Sequence, residues 1–180
     1  MTIPLNKLKS KSIITLLLLT SFYSYCQTPS EGKLNKTIAL EYMEAYGNWD
    51  FEKMKTYYDE NVHFDDPTGA EAFKSKFDVN GKENVYNLIK NVYKAFEDSK
   101  PPYIKIEIDK VFTSGSFIVI NSTYESIIPN SWFKDSNSEK IMVSIPFLTI
   151  LQIKEGKITS HKDYADYDTW NKQIQAQFEN

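Results

Sequence analysis

Residues 41–69 read EYMEAYGNWDFEKMKTYYDENVHFDDPTG, and the order of signals in this stretch decides the fold. Upstream and into it, Leu34, Ile38, Ala39, Tyr42, Ala45 and Tyr46 recur at helical spacing, and Gly47-Asn48 stops the helix. Asp50 is a capping residue type, and it opens a second short helix with Phe51, Met54, Tyr57 and Tyr58 on its inner face. Residues 61–66 then read as a short strand. It ends at Pro67, which cannot donate to a ladder, and Gly69 marks a turn out of the sheet. A helical hairpin followed at once by a strand is therefore the N-terminal unit.

Downstream, residues 70–80 have mixed charge, Phe73 and Phe77 but weak periodicity, which predicts a loop or short helix over one end of the domain. Gly81 precedes Val85, Leu88, Ile89, Val92, Tyr93 and Phe96, an amphipathic helix closed by Pro101-Pro102. Four β-rich segments follow at 103–113, 117–128, 141–153 and 157–167, with Ser114-Gly115 and Glu155-Gly156 as tight hairpin turns. The connection 129–140 is polar apart from Trp132-Phe133, a candidate lid or dimer contact, and a helix over 168–178 ends the chain. Helices first and an antiparallel meander after them predict an α+β domain: a curved antiparallel sheet wrapped around the N-terminal helices, enclosing a pocket. Alternation along a strand puts Phe64 and Asp66 on one face and His63 and Asp65 on the other. It puts His161, Asp163 and Ala165 together on one face of the last strand.

The first 26 residues have the layout of a secretory signal: Lys7, Lys9 and Lys11, then the apolar run from Ile13 to Leu19, then small and polar residues. The run is too short to span a bilayer. Cleavage after Cys26 leaves Gln27 as the mature terminus and residues 27–180 as one domain, exported to the periplasm or outside, with no membrane insertion after cleavage. The alternative is a lipoprotein acylated on Cys26. Either way the folded domain holds no cysteine, so disulfides, thiolate catalysis and Cys-based zinc sites are excluded. All 21 basic residues are Lys. Taking the three signal lysines from 21 leaves 18 against 24 acidic residues, an acidic domain without Arg that is a poor partner for nucleic acid. No phosphate-binding glycine loop is present, and no cofactor is expected.

The run Glu41-Tyr42-Met43-Glu44 through Asp50-Phe51-Glu52 to Val62-His63-Phe64-Asp65-Asp66-Pro67-Thr68-Gly69 resembles the N-terminal third of ketosteroid isomerases. Gly81-Lys82-Glu83-Asn84-Val85 resembles the start of the long helix in the same nuclear-transport-factor-2-like superfamily. Gly156-Lys157-Ile158 to His161-Lys162-Asp163-Tyr164 is similar to its last hairpin in the SnoaL-like version. The resemblance implies a cone-shaped fold with a pocket, and a homodimer formed through the open sheet face. It places on Tyr42 the tyrosine that stabilises a developing enolate, and on Asp66 the carboxylate that moves the proton. The position of the isomerases' second acid falls on Thr149, with Leu148 the neighbouring choice, and neither can serve as that acid. In SnoaL-like cyclases an Asp near this His-x-Asp position is the acid/base, which corresponds to Asp163 beside His161. The Asp-Arg-Asp arrangement of limonene-epoxide-hydrolase relatives cannot be built without Arg.

Each candidate also has a plainer role. Asp66 suits a turn by accepting local backbone bonds, Tyr42 suits a core position, and His161 with Asp163 suits a hydrogen-bonded pair. Trp49, Trp132 and Trp170 read as packing residues. His63-Phe64-Asp65 and His161-Lys162-Asp163 share a His-x-Asp spacing, but opposite parity keeps them from converging on a metal. The expected catalytic set is thus Asp66, Tyr42, Asp163 and His161, with Phe64, Thr149 and Tyr46 as ligand contacts and a small apolar molecule as partner. Three functions stay open: proton transfer beside a carbonyl, non-catalytic binding of an apolar ligand, and an interaction module.

Overall fold

The structure is a computed structural model that describes residues 29–96, 103–128 and 141–178. The signal segment 1–26 and the Trp132-Phe133 loop lie outside the described residues. The elements run α1 (Pro29–Gly47), α2 (Phe51–Tyr57), β1 (Tyr58–Asp66), α3 (Pro67–Phe73), β2 (Phe77–Asn80) and α4 (Lys82–Phe96). They continue through β3 (Ile104–Ser114), β4 (Phe117–Ile128), β5 (Ile141–Lys154), β6 (Lys157–Ala165) and α5 (Tyr167–Phe178). The strands form one six-stranded sheet in the order β2-β1-β6-β5-β4-β3, with β2 and β3 at its two edges, so the sheet is not closed into a barrel.

The α+β architecture is as expected, with two differences in the sheet. β1 pairs parallel with β6, and the other neighbours are antiparallel, so the sheet is mixed. Parallel neighbours need a long crossover, and here the whole segment from α3 to β5 supplies it. A local meander pattern does not show this long-range pairing. The stretch 70–80 also resolves differently: Asp66 caps the short helix α3 with Pro67 in its first turn, and Phe77–Asn80 is an edge strand on β1. β1 begins at Tyr58, which is a strand residue and not the end of the second helix.

The α1–α2 corner is held by Asp50, whose carboxylate accepts from the Lys53 N–H at 3.1 Å. Glu155 and Gly156, both at positive φ (50° and 75°), make the two-residue turn between β5 and β6, the conformation that favours glycine in such hairpins. The core forms two clusters of buried side chains. One centres on Tyr42, Met43, Met54, Ile120 and Leu151, the other on Ile128, Val143, Ile145, Trp170 and Ile174. Each fully buried isoleucine contributes about 1.5–3 kcal/mol. Tyr46 and Ile106 pack against both clusters, and the cavity opens at this junction.

Candidate functional site

A cavity of about 300 Å³ lies between the inner face of the sheet and the helices. Strand residues Phe64, Phe147 and Ala165 line it from the sheet, Leu88, Val92 and Phe96 from α4, Tyr46 and Trp49 from the α1–α2 corner, and Phe73, Tyr167 and Trp170 from α3 and α5. In this aromatic wall the charged residues are Asp66 and Asp163, which are 8% and 2% exposed.

Asp163 reaches the wall through a defect in its strand. Between the β5–β6 turn and His161 the register shifts, so that Ile153 faces Ile158 but Gln152 faces Ser160, leaving Thr159 as an extra residue. This bulge keeps Ile158 and His161, three residues apart, on the same buried face. It also decides the cross-strand partner of Asp163, which is Thr149 and not Leu148. Thr149 Oγ1 donates to Asp163 Oδ1 at 2.6 Å, and His161 Nε2 meets the same oxygen at 2.9 Å. The Tyr46 hydroxyl donates to the other oxygen, Oδ2, at 3.0 Å.

Asp66 is built in a parallel way. Its Oδ1 accepts from Thr68 Oγ1 and from the Gly69 N–H, both at 2.7 Å, as the N-cap of α3, and its Oδ2 accepts from the Tyr167 hydroxyl at 3.0 Å. The Ala165 N–H donates to Thr68 Oγ1 at 3.0 Å and so ties this cap to β6. Burial raises the Asp66 carboxyl above its ordinary value. Its three hydrogen bonds pull against that, and the nearby Asp163 charge adds to it. Tyr46 and Tyr167 are pushed up by burial and by the carboxylates they face, so both remain hydroxyl donors. Each carboxylate thus spends Oδ1 on two donors and shares Oδ2 with one tyrosine.

The remaining expected site residues stand behind this wall. Tyr42 and His161 are fully buried and do not line the cavity; the Tyr42 hydroxyl sits between Tyr58 Oη at 2.5 Å and His161 Nδ1 at 2.8 Å. Thr149 is likewise fully buried and reaches the cavity only through Asp163. Phe64 and Tyr46 do line it. His63 faces the other way and meets Asp78 at 2.9 Å, while Asp65 pairs with Lys162. Tyr167 and Tyr58 were not legible as site residues. The Asp166-x-x-Thr169 cap, in which the Thr169 N–H donates to Asp166 Oδ1 at 2.9 Å, is the signal that starts α5 at Tyr167. Trp49 and Trp170, read as packing residues, pack and also line the cavity.

The family model of the SnoaL-like domain matches residues 39–161, from the middle of α1 to the histidine of β6. The chain belongs to the SnoaL-like domain family. Among solved structures, this SnoaL-like domain is similar to a protein from Shewanella denitrificans OS-217 assigned as a SnoaL-like polyketide cyclase. The TM-score is 0.66 at 21% identity, covering 79% of this chain and 98% of that one. An LEH-like epoxide hydrolase from M. tuberculosis gives 0.61 at 14% identity over 82% and 93% of the two chains. A protein of ketosteroid-isomerase-like fold from Catenulispora acidiphila DSM 44928, in complex with trimethylamine, gives 0.59 at 16% over 79% and 92%. At these identities the likeness shows the fold alone. No curated protein matches the chain.

Proposed function

We propose that this SnoaL-like domain is exported and catalyses acid–base proton transfer on an apolar carbonyl compound, as an isomerase, cyclase or dehydratase does. The observation that carries the reading is the pair of buried carboxylates, each joined to a tyrosine hydroxyl, on one aromatic cavity. The substrate carbonyl takes a hydrogen bond from a wall tyrosine, Tyr46 or Tyr167, whose O–H turns from its carboxylate to the ligand. Asp66, made a stronger base by burial, takes the proton from the carbon next to the carbonyl. The C–H electron pair moves into an enolate whose oxygen is stabilised by the tyrosine O–H. The proton on Asp66 then returns to another carbon, or to the enolate oxygen, either directly or after passing to Asp163 on the same wall. Tyr42 is not the enolate donor in this scheme, because its hydroxyl is spent inside the core.

Hydrogen–deuterium exchange at the α-carbon of small apolar ketones in D2O tests this, followed by proton NMR. The wild type is expected to exchange at least one of a panel of ketones. Asp66→Asn, which keeps an acceptor for the Gly69 N–H and Thr68, is expected to lose about 100-fold or more, the usual scale of a missing acid–base group. Exchange no faster than in buffer, or undiminished in the variant, contradicts the proposal.

A second reading, a non-catalytic carrier of an apolar ligand, is favoured by one observation: Asp66 is the cap of α3 and each carboxylate already accepts three hydrogen bonds. It predicts ligand binding without exchange. As part of the same proposal, the chain is cut after Cys26 and pairs through the outer sheet face, where Val119, Leu148, Ile150 and Tyr164 are only partly covered. N-terminal sequencing of the exported protein and sedimentation test these two statements.

A further inference from the structure

His161 touches Asp163 but does not reach the cavity. We propose that His161 is a positioning residue: a neutral imidazole protonated on Nε2 that aims Asp163, with its tautomer set from behind by Tyr42 and Tyr58. The proposal deepens the acid–base reading of Asp163 and rests on it for its purpose, but its test needs no turnover.

The argument is one of proton counting along a buried chain. Tyr58 Oη, Tyr42 Oη, His161 Nδ1, His161 Nε2 and Asp163 Oδ1 follow one another at 2.5 Å, 2.8 Å, across the ring, and 2.9 Å. All four residues are at most 2% exposed. Asp163 Oδ1 already accepts from Thr149 Oγ1, and as the acceptor toward the ring as well it leaves the N–H to Nε2. Two arrangements remain for the other side of the ring. With Nδ1 bare, Tyr58 donates to Tyr42 and Tyr42 donates to Nδ1, so every polar hydrogen in the chain is used. With a proton on Nδ1 the donation runs backwards, and the Tyr58 hydroxyl proton then has no acceptor among the described residues. A buried donor left without a partner is the costlier defect, since an under-used acceptor oxygen is tolerated more often than an orphaned donor. Burial pushes both tyrosines up, so they stay protonated and available as donors.

The ring also has little room to turn. Tyr42, Tyr46 and Phe64 meet it edge-on, with centroids at 5.4 Å, 5.3 Å and 4.9 Å and interplanar angles of 88° to 90°. Held in this box, Nε2 points one N–H at Oδ1 while Thr149 supplies the second donor to the same oxygen. That leaves Oδ2 toward Tyr46 and the cavity. The helix-1 tyrosine thus acts through the histidine, and Tyr46, one helical turn on, is the tyrosine that shows itself to a ligand.

The test is nitrogen NMR of the full chain labelled at histidine. The sequence holds two histidines, and His63, with a side chain 39% exposed, serves as the internal reference. His161 is expected to show a protonated Nε2 and a bare, hydrogen-bonded Nδ1 at neutral pH. In Tyr42→Phe the Nδ1 signal should shift and a second tautomer appear, with His63 unchanged. In Tyr58→Phe the tautomer should persist, because Tyr42 can still donate. A protonated Nδ1 in the wild type, whether as the other tautomer or as the imidazolium, overturns the proposal, and so does a Tyr42→Phe spectrum identical to the wild type. If Tyr42→Phe does not fold, the wild-type tautomer and Tyr58→Phe still decide it. Failure of the acid–base reading shows separately, as absent C–H exchange with the His161 tautomer as expected.

Discussion

Asp66 serves two purposes with one carboxylate, and they pull in opposite directions. As the cap of α3 it accepts the Gly69 N–H and the Thr68 hydroxyl, which favours the charged form. As a cavity wall residue it is desolvated, and desolvation wins, so its carboxyl is raised above the ordinary 3.8. The sign for stability follows. The folded state holds a proton that the unfolded state has released, so stability falls as pH rises from 3.8 through the folded value. Asp66→Asn keeps the cap and removes the buried charge. It is therefore expected to match or exceed wild-type stability in urea at pH 7 and to lose part of that pH dependence. Asp66→Ala removes the cap and is expected to cost about 1 kcal/mol. The Asp-Pro-x-Gly turn made Asp66 readable in the sequence both as a turn residue accepting local backbone bonds and as a site residue. Its tyrosine partner was not readable, because Tyr167 is brought to it by α5 across 101 positions of sequence. Tyr42 was likewise legible as a buried helix tyrosine, but which partner takes its hydroxyl depends on the phase of β6.

That phase is a property of the element. Strict alternation counted from the Glu155-Gly156 turn sets Leu148 opposite Asp163, and the extra residue Thr159 moves the partner to Thr149. Bulges leave little trace in hydrophobic pattern, so the partner of Asp163 was not readable in the sequence. The β1–β6 parallel pairing escaped for a related reason: local periodicity reports which face of a strand is buried, not which strand lies beside it. The beginning of β5 shows how the fold treats an exposed edge. Beyond the end of β6, Gln173 and Gln177 of α5 each accept from and donate to the strand backbone, at Ser144 with 2.8 Å and 2.7 Å and at Met142 with 3.0 Å and 2.8 Å. Two side-chain amides one helical turn apart replace a missing strand neighbour and blunt the edge against pairing with other chains. In Gln173→Ala/Gln177→Ala the amides of Met142 and Ser144 are expected to exchange with solvent much faster while the amides paired with β4 keep their protection, measured by hydrogen exchange. Unchanged protection at both positions would show that the glutamines do not guard the edge.

The whole molecule places an acidic, aromatic cavity where its two core clusters meet. No lysine lines it among the described residues, and the sequence has no Arg. Burying a ligand carboxylate or phosphate beside Asp66 and Asp163 would set an unpaired negative charge against two carboxylates in a poorly solvated space. Of two ligands matched in shape, a neutral ketone is expected to bind about tenfold or more tightly than the corresponding carboxylate, a difference of about 1.4 kcal/mol, by calorimetry at pH 7. Equal binding would mean that the two aspartates do not face the ligand. The central claim is that they share one cavity, and the most direct check is a carbon NMR titration of the Asp66 side-chain carboxyl, in the wild type and in Asp163→Asn. The Asp66 midpoint should lie above 3.8 in the wild type and move down when the neighbouring charge is removed. A midpoint at or below 3.8, or one that ignores the substitution, would contradict the shared acid–base cavity.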